Sequence, residues 1–342
     1  MNYPTKKALI LGATGFIGGH IALAAIEQGW QVRGFRRDPA ATGILKNLPM
    51  EWVNGNLDEP SSLRRAMQDI DIVFHAAGYY PARKEKRALP AQIEYALAQT
   101  KNILMAAREM KVERLIYTST LTTIGQPPPG SNHLATETES YVPGTMPKGA
   151  YYEVKFAMEQ AVLQAAKGGL PAIITNPTAV FGPGDVHLTL GSVLIAVSRG
   201  WAIAWLPVTI NVVDVRDVSQ AHIQAAIRGR LGHRYIIGGH NLSLKDALSL
   251  IADIAKVPPP RFEIPLWLID AVVQLDDAIP QINLIGNHLR AIRLWQGYDI
   301  SKAQLELALS PRPFEETIRD ALAWYHQHGS KADNLIKNIP NH

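Results

Sequence analysis

One short segment constrains the fold of this chain more than any other. Residues 12–18 read GATGFIG, a GxxGxxG spacing that follows the apolar run 8–11 and precedes a helix predicted over 16–28. In such a turn the first glycine permits the tight bend, the second admits a pyrophosphate, and the third lets helix and strand pack closely. The helix start also presents N–H groups to phosphate. A purely structural turn is the alternative, but the strand–turn–helix context predicts dinucleotide binding.

Strands and helices continue to alternate through the first half of the chain. Strands are predicted at 31–35, 51–54, 71–74, 114–117 and 172–175, and helices at 61–68, 88–110 and 151–166. This alternation indicates right-handed crossovers and a parallel sheet. The apolar runs suit strands that are buried on both faces. We therefore predict an α/β fold, a Rossmann-type doubly wound parallel sheet whose ligands bind at the carboxyl ends of the strands.

The pattern changes in the second half, where proline, glycine and tryptophan become frequent after residue 182. We predict a smaller, interleaved C-terminal substrate lobe. The expected division is an NAD(P)-binding domain over 1–181 with segments returning between about 210 and 240, a lobe mainly over 182–330, and a frayed tail over 331–342. Residues 235–237 are expected to return one strand to the main sheet, and a last helix is expected over 314–326.

Composition excludes several classes of protein. The chain has no cysteine, which rules out disulfides, thiolate nucleophiles and Cys-ligated metal clusters. Its 34 basic and 30 acidic residues form no long basic stripe, so no nucleic-acid partner is expected. Residues 8–26 lack Lys, Arg, Asp and Glu, but four glycines interrupt them, so no membrane segment is expected. The eleven histidines are scattered without an HExxH motif, so no metal site is expected. We expect a soluble, cytoplasmic protein.

The end of the second predicted strand indicates which dinucleotide binds. Residues 32–37 read VRGFRR, and no acidic residue occurs before Asp38. An acid at this strand end binds the ribose 2′-hydroxyl of NAD, whereas arginine accommodates the 2′-phosphate of NADP. Arg36 and Arg37 therefore predict that NADP(H) is preferred, with NAD(H) as the second option. The alternative is a pair of surface arginines without a ligand.

A tyrosine and a lysine indicate acid–base chemistry. Tyr151 and Lys155 form a YxxxK pair on one face of the predicted helix over 151–166. A phenol with a pKa near 10 works poorly at neutral pH, and a neighbouring ammonium lowers that pKa. We predict that Tyr151 is the general acid–base and that Lys155 assists it and binds the nicotinamide ribose. The hydroxyls that follow the fifth strand, in the segment 118–123, are placed to orient a substrate carbonyl.

Further motifs accompany these residues along nearly the whole chain: GNLD at 55–58, HAAG at 75–78, YTST at 117–120 and NPTAVFGPG at 176–184. Together with the glycine turn and YxxxK, they resemble the extended short-chain dehydrogenase/reductase family, also called the NAD-dependent epimerase/dehydratase family. The resemblance implies that Thr120 is a third catalytic group. The cofactor-binding residues are then expected to be Gly12, Thr14, Gly15, Phe16, Ile17, Gly18, Arg36, Arg37, Asn56, Leu57, His75, Ala76, Ala77, Gly78, Thr118, Ser119, Tyr151, Lys155, Pro177 and Val180.

One residue departs from the family motifs, and two segments point to branches of the family. Asn56 stands where the family motif has Asp, and its amide oxygen can still accept from the adenine amino group. The segment VRGFRRDP at 32–39 is similar to dihydroflavonol reductases, which places the 2′-phosphate arginine at Arg37. The segment NVVDVRDV at 211–218 resembles that branch and hopanoid-associated sugar epimerase-like proteins. Nucleotide-sugar epimerases usually carry an arginine just before the second segment, where this chain has none.

The leading hypothesis is an NAD(P)-dependent oxidoreductase that transfers a hydride between nicotinamide and a hydroxyl or carbonyl carbon of a small organic substrate. One alternative is a nucleoside-diphosphate-sugar epimerase or dehydratase that retains its cofactor. An alternative of another class is a redox-silent NADP(H)-binding regulatory protein, which would not need Thr120, Tyr151 and Lys155 together. Because family members often pair two long helices across a dimer interface, here those over 88–110 and 151–166, we also expect a homodimer.

Overall fold

The computed structural model describes residues 5–81, 87–146, 150–186, 188–278 and 291–337. The strands are β1 (Lys7–Leu11), β2 (Gln31–Arg36), β3 (Glu51–Asn54), β4 (Ile72–His75), β5 (Arg114–Thr118), β6 (Ala172–Pro177), β7 (Ala179–Phe181), β8 (Ala204–Trp205), β9 (Thr209–Asp214), β10 (Arg234–Ile237), β11 (His240–Ser243) and β12 (Phe262–Glu263).

The described α-helices are α1 (Phe16–Glu27), α2 (Pro60–Met67), α3 (Leu89–Glu109), α4 (Ala150–Lys167), α5 (Gly191–Ser198), α6 (Val215–Arg228), α7 (Leu244–Ala255), α8 (Leu266–Ala278), α9 (Ser301–Leu307) and α10 (Phe314–Lys337). Short 3-10 turns occur at Leu121–Thr123 and Ala291–Leu294.

The chain forms two compact units. The first unit comprises Met1–Thr178, Arg216–Ile237 and Tyr298–Ser310, and the second comprises Ala179–Val215, Gly238–Gly297 and Pro311–His342. The interleaving therefore includes a segment that we expected in the lobe, since Tyr298–Ser310 belongs to the first unit. The reason is that α9, within this segment, packs against β10.

The first unit is built on a seven-stranded sheet in the order β10-β6-β5-β4-β1-β2-β3. Every neighbouring pair in it is parallel. The chain runs outward from β1 to β3 and then returns to β4 beside β1, so the order reverses between β1 and β4. This confirms the doubly wound α/β fold, and the turns after β1 and β4 meet at the carboxyl edge. The predicted return strand at 235–237 is also confirmed, because β10 pairs with β6.

Apolar side chains fill both faces of this sheet, as expected for parallel strands. On one face, Leu9 and Leu11 of β1 share a buried cluster with Leu63 of α2, Ile103 of α3 and Val154 of α4. The alternating residues of β1 are fully buried too and point to the opposite face. There α1 packs against β1, β2 and β4. The helix that carries the YxxxK pair is thus fixed against the sheet by its own apolar residues.

The second unit has two small sheets. One has the order β11-β9-β7, with β7 parallel and β11 antiparallel to β9, and the other pairs β8 with β12. Its core joins Phe181 and Val212 from the sheet to Ile251 of α7 and to Phe314 and Ile318 of α10. No helix in the described part of the chain is long and apolar enough to cross a membrane.

Two element ends differ from the sequence prediction by two residues or more. Strand β6 continues past residue 175 to Pro177, because Asn176 and Pro177 lie in register with Ile236 and Ile237 of β10. The last helix, expected to end at 326, continues to Lys337, so most of the expected tail at 331–342 has a helical backbone and only its last five residues lie outside the described part. The helix continues through Gly329. One glycine inside a helix costs about 1 kcal/mol relative to alanine, and this cost is too small to end the helix.

The glycine turn generates the first prediction. A Cβ at Gly18 would lie 2.1 Å from the carbonyl oxygen of Gly12. We expect Gly18→Ala to lower the free energy of unfolding by about 1–3 kcal/mol, as overpacking does elsewhere, measured by urea denaturation. Gly168→Ala is the matched control, because its Cβ would meet nothing nearer than 3.4 Å. A Gly18→Ala protein as stable as this control would contradict the close helix–strand packing.

Candidate functional site

The turn between β1 and α1 forms a bare backbone surface. Gly12 has φ +91°, and a Cβ there would lie 2.8 Å from the carbonyl oxygen of Ala76. The Gly15 N–H donates to the Gly12 carbonyl at 2.9 Å, and Gly15 caps α1 without a side chain that could occupy the first-turn N–H groups. Thr14 and Ile17 in the same turn are partly exposed. A phosphate can therefore reach the backbone here, and the turn fits a dinucleotide.

The two arginines at the end of β2 differ in their surroundings. Arg36 donates from Nε to Asn54 Oδ1 at 3.0 Å and from Nη1 to the Ala41 carbonyl at 3.1 Å. Its guanidinium also lies 4.6 Å from the centre of the Trp52 ring. Arg37 is exposed and makes no hydrogen bond or ion pair with a described residue. Arg36 thus fixes the sheet edge, whereas the charge of Arg37 is available to an anion.

The next candidate segment follows β3. Asn56 Oδ1 accepts from the Asp58 N–H at 3.2 Å, and the Asn56 N–H donates to Ser62 Oγ at 3.1 Å. The carbonyl of Leu57 accepts from Asn102 Nδ2 at 3.1 Å. Both predicted adenine-binding residues are therefore held at the carboxyl edge. An amide oxygen has two lone pairs, so Asn56 Oδ1 can accept a second hydrogen bond.

The segment after β4 contacts the glycine turn through its backbone. The Ala76 N–H donates to the Leu11 carbonyl at 2.9 Å, and Gly78 has φ +148°. The imidazole of His75 is instead fully buried against the Tyr117 ring, with the ring centres 5.1 Å apart. Burial and the charge of Lys155 lower the pKa of His75 to about 3, so the ring is neutral. The side chain of His75 therefore packs inside the sheet layer, while the backbone that follows it contacts the turn.

The hydroxyls of Thr118 and Ser119 are used inside the protein. Thr118 Oγ1 lies 2.9 Å from His222 Nε2, and Ser119 Oγ donates to Glu159 Oε2. His222 Nδ1 lies 2.7 Å from the Val218 carbonyl, so Nδ1 carries the proton and Nε2 accepts. Burial lowers the pKa of His222 to about 4, which keeps it neutral. Because both hydroxyls have partners inside the protein, Thr118 and Ser119 offer only their backbone groups to a ligand.

The three predicted catalytic groups come together at the carboxyl edge. Helix α4 packs against the 3-10 turn that follows Thr120, and Lys155 Nζ lies 5.8 Å from the centre of the Tyr151 ring. Burial raises the pKa of Tyr151 to about 12, and the Thr120 hydrogen bond opposes this rise. The ammonium of Lys155 lies beside the same ring, so its assistance to Tyr151 stays a prediction.

The ammonium of Lys155 has a different part in the site. Burial lowers the pKa of Lys155 to about 8. Across the described residues it forms no hydrogen bond or ion pair. A partly buried ammonium with three unused donors suits a ribose hydroxyl, which is the second role that the sequence predicts for it.

Tyr80 is an aromatic neighbour of the phenol. Its ring centre lies 5.0 Å from that of Tyr151, and 57% of the residue is exposed. The structure shows that Tyr80 is a surface residue beside the phenol.

Sequence reasoning missed three residues that surround Thr120. Glu159 is fully buried on α4 and contacts Asn176 of β6 and Arg234 of β10. The signal for Glu159 was available, since it follows Lys155 by the same four residues that separate Lys155 from Tyr151. Asn176 begins the NPTAVFGPG motif but was given no role of its own, and Arg234 gave no local signal, because only the strand order brings them together.

The remaining predicted residues lie where the two units divide. Pro177 is the last residue of β6 in the first unit, and Val180 lies on β7 in the second. The structure thus assigns Val180 to a different unit from the rest of the set. Among the described residues, no group of three or more His, Asp or Glu side chains could hold a metal ion.

Comparison with known proteins agrees with this geometry. Residues 8–238 match the model of the NAD-dependent epimerase/dehydratase family. A putative dihydroflavonol 4-reductase of Synechocystis sp. is 33% identical over 94% of each chain. The sterol demethylase protein B of Methylococcus capsulatus is 27% identical, over 94% of this chain and 98% of its own.

A solved structure extends the likeness to three dimensions. The nucleoside-diphosphate-sugar epimerase PA4631 of Pseudomonas aeruginosa superposes with a TM-score of 0.79 and 26% identity, covering 96% of this chain and 99% of that one. The family match spans well over half of the residues and includes the glycine turn, Thr120, Tyr151 and Lys155. This chain therefore belongs to the NAD-dependent epimerase/dehydratase family.

Proposed function

We propose that this enzyme is an NADP(H)-dependent reductase that interconverts a carbonyl and a hydroxyl on a small organic substrate. The observation that carries the proposal is that α4 packs against the turn after Thr120, with Lys155 Nζ 5.8 Å from the centre of the Tyr151 ring and free of hydrogen bonds and ion pairs to the described residues. These groups can deliver and remove one proton at a substrate oxygen. A regulatory protein that only bound the cofactor would not need them.

The chain's own residues divide the work as follows. Burial keeps the phenol of Tyr151 protonated at neutral pH, so it can donate its proton to a substrate oxygen. Thr120 then stabilises the phenolate that results. The glycine turn, Asn56, the backbone of residues 76–78 and Lys155 would hold the cofactor. When bound, the nicotinamide supplies or accepts the hydride.

Two observations support reduction over sugar-nucleotide epimerisation. Nucleotide-sugar enzymes usually carry an arginine just before residue 211, where this chain has none. The side chain of Asn211 itself is used inside the second unit, since Nδ2 donates to Asn241 Oδ1 at 2.8 Å and Oδ1 accepts from the Gly239 N–H at 2.9 Å. The relative of highest identity given above is named a reductase. The structural neighbour from Pseudomonas aeruginosa is named an epimerase, so epimerisation is the alternative reaction. The two can be told apart because a reductase consumes NADPH and an epimerase does not.

The preference for NADP(H) rests on Arg37. It is exposed at the carboxyl end of β2 and forms no hydrogen bond or ion pair with a described residue, whereas Arg36 is occupied by Asn54 and Trp52. A guanidinium suits a phosphate because it offers several donors in one plane. We assign the 2′-phosphate to Arg37 alone.

We also propose that the enzyme is a cytoplasmic homodimer. The outer face shared by α3 and α4 forms a shallow apolar groove, lined by Leu97, Leu104, Met105, Ala161 and Ala165 with Lys101, Arg108 and Gln164. Met105 is 49% exposed there. Two copies of this face would bury each other's apolar side chains.

Replacing the phenol tests the reaction. We expect Tyr151→Phe to lower kcat by roughly 10²–10⁴-fold, because no other group supplies the proton. The assay follows NADPH absorbance at 340 nm with a dihydroflavonol, chosen from the relative's name. Tyr152→Phe is the control, because Tyr152 is buried and its ring packs against that of Tyr141. We expect this variant to turn over at about the wild-type rate. Equal rates in the two variants would exclude Tyr151 as the acid–base group.

Removing the charge at β2 tests the cofactor. We expect Arg37→Ala to weaken NADPH binding by roughly 10- to 100-fold, the value of one charged hydrogen bond, and to leave NADH binding unchanged. Fluorescence titration measures both. Arg228→Ala is the control, because it removes an equal charge at the opposite edge of the sheet. There the carbonyl of the neighbouring Gly229 accepts from Arg114 of β5. NADPH affinity that survives in Arg37→Ala would remove the proposed phosphate contact.

A charge in the groove tests the dimer. Light scattering should show a dimer for the wild type and a monomer for Met105→Arg, because the substitution buries a third cation beside Lys101 and Arg108 in the interface. Leu305→Arg is the control, since Leu305 is 84% exposed on α9. A monomeric wild type, or a dimeric Met105→Arg protein, would contradict this interface.

A further inference from the structure

A buried carboxylate lies behind the proposed acid–base group. Glu159 is fully buried on α4, one turn beyond Lys155. Its Oε2 accepts from Ser119 Oγ at 2.5 Å and from Thr123 Oγ1 at 2.6 Å. Its Oε1 accepts from Arg234 Nη1 at 3.0 Å. Burying a carboxylate is costly without such partners, and here hydrogen bonds and an ion pair satisfy both carboxylate oxygens.

The partners of Glu159 lie on both sides of Thr120. Ser119 directly precedes it, and Thr123 follows it by three residues. Asn176 Nδ2 lies 2.7 Å from Glu159 Oε2 and 3.2 Å from the Thr120 carbonyl. The Thr123 hydroxyl also lies 2.9 Å from that carbonyl. The backbone that carries Thr120 is therefore held to α4 through one carboxylate. We call Glu159, Ser119, Thr123, Asn176 and Arg234 the Glu159 clamp.

Arg234 connects the clamp to the returning strand β10. Its side chain is only 10% exposed, and its guanidinium also donates to the carbonyls of Glu137 and Glu139. The charge of Glu159 is thereby balanced and its orientation is fixed from the far side. The clamp joins α4, the end of β5, β6 and β10.

We propose that Glu159 is a positioning residue for the reaction, holding residues 119–123 against α4 so that the Thr120 hydroxyl stays beside Tyr151. Glu159 contacts neither this phenol nor a substrate and acts through Thr120. The inference rests on the proposed function, since it assigns a task to a group behind the same acid–base pair. The competing explanation is that the clamp only stabilises the fold.

The two explanations predict different behaviour of the phenol. The Thr120 hydrogen bond lowers the pKa of Tyr151. If the clamp positions Thr120, loosening it raises the pKa that governs kcat and mimics the loss of the Thr120 hydroxyl. If the clamp only stabilises the fold, loosening it lowers stability and leaves the pH profile of the folded enzyme unchanged.

The experiment compares Thr123→Val, Glu159→Gln and Thr120→Val. We expect each to lower kcat by about tenfold, with NADPH affinity unchanged, and to shift the pH profile upward. The double variant Thr120→Val/Thr123→Val should be no slower than Thr120→Val, because both changes remove the same interaction. Activity is followed with NADPH and a dihydroflavonol.

A second readout needs no substrate. The ¹³Cζ resonance of Tyr151 in tyrosine-labelled protein, assigned by its loss in Tyr151→Phe, should move in the clamp variants as it does in Thr120→Val. Thr123→Val keeps this test open if Glu159→Gln fails to fold, because it is nearly isosteric and leaves the ion pair with Arg234 intact. Thr317→Val is the matched control, since Thr317 is 1% exposed and its hydroxyl has no hydrogen-bond partner within the described residues.

The results separate the clamp from the proposed function. Clamp variants that lose stability while keeping the Tyr151 resonance and the pH profile, in contrast to Thr120→Val, would overturn the positioning role. Unchanged activity in Tyr151→Phe would instead overturn the proposed function. The resonance would still decide whether Glu159 positions Thr120.

Discussion

The structure depends on the close contact between Gly12 and Gly18. A Cβ on Gly18 would lie 2.1 Å from the Gly12 carbonyl oxygen, so α1 can start directly beside the end of β1 only because residue 18 is glycine. This contact fixes the helix at the point where the strand order reverses between β1 and β4. The same absence of side chains leaves the backbone open to a phosphate. Packing and ligand binding thus have one physical cause.

Helix α4 carries the second half of the site in one repeating spacing. Tyr151, Lys155 and Glu159 follow each other at intervals of four residues, so they lie along one face. Their environments differ sharply. The phenol is partly buried near Thr120, the ammonium forms no hydrogen bond or ion pair with a described residue, and the carboxylate accepts from four donors. One helix face therefore provides the acid–base group, a candidate ribose contact and the support for the loop that carries Thr120.

Much of this was predictable, and the failures have physical reasons. The apolar runs and glycine turn are local signals, and they predicted the sheet and its returning strand correctly. The hydroxyls of Thr118 and Ser119 looked like ligand contacts because they follow a strand. Yet the buried partners His222 and Glu159, far away in sequence, turn them inward. Arg36 and Arg37 were both predicted to bind the cofactor, with the 2′-phosphate at Arg37, and the structure adds that Trp52 and Asn54 from the next strand contact Arg36.

By itself, the sequence determined the class of fold, the place of the dinucleotide turn and the spacing of Tyr151 and Lys155, because these depend on residues close together in the chain. Only the tertiary structure decided which groups share a hydrogen bond. Thr120 reaches Tyr151, and Arg234 reaches Glu159, because the parallel order of β10, β6 and β5 brings distant segments to one edge of the sheet. Burial there, rather than residue type, sets the pKa of the phenol and of the ammonium.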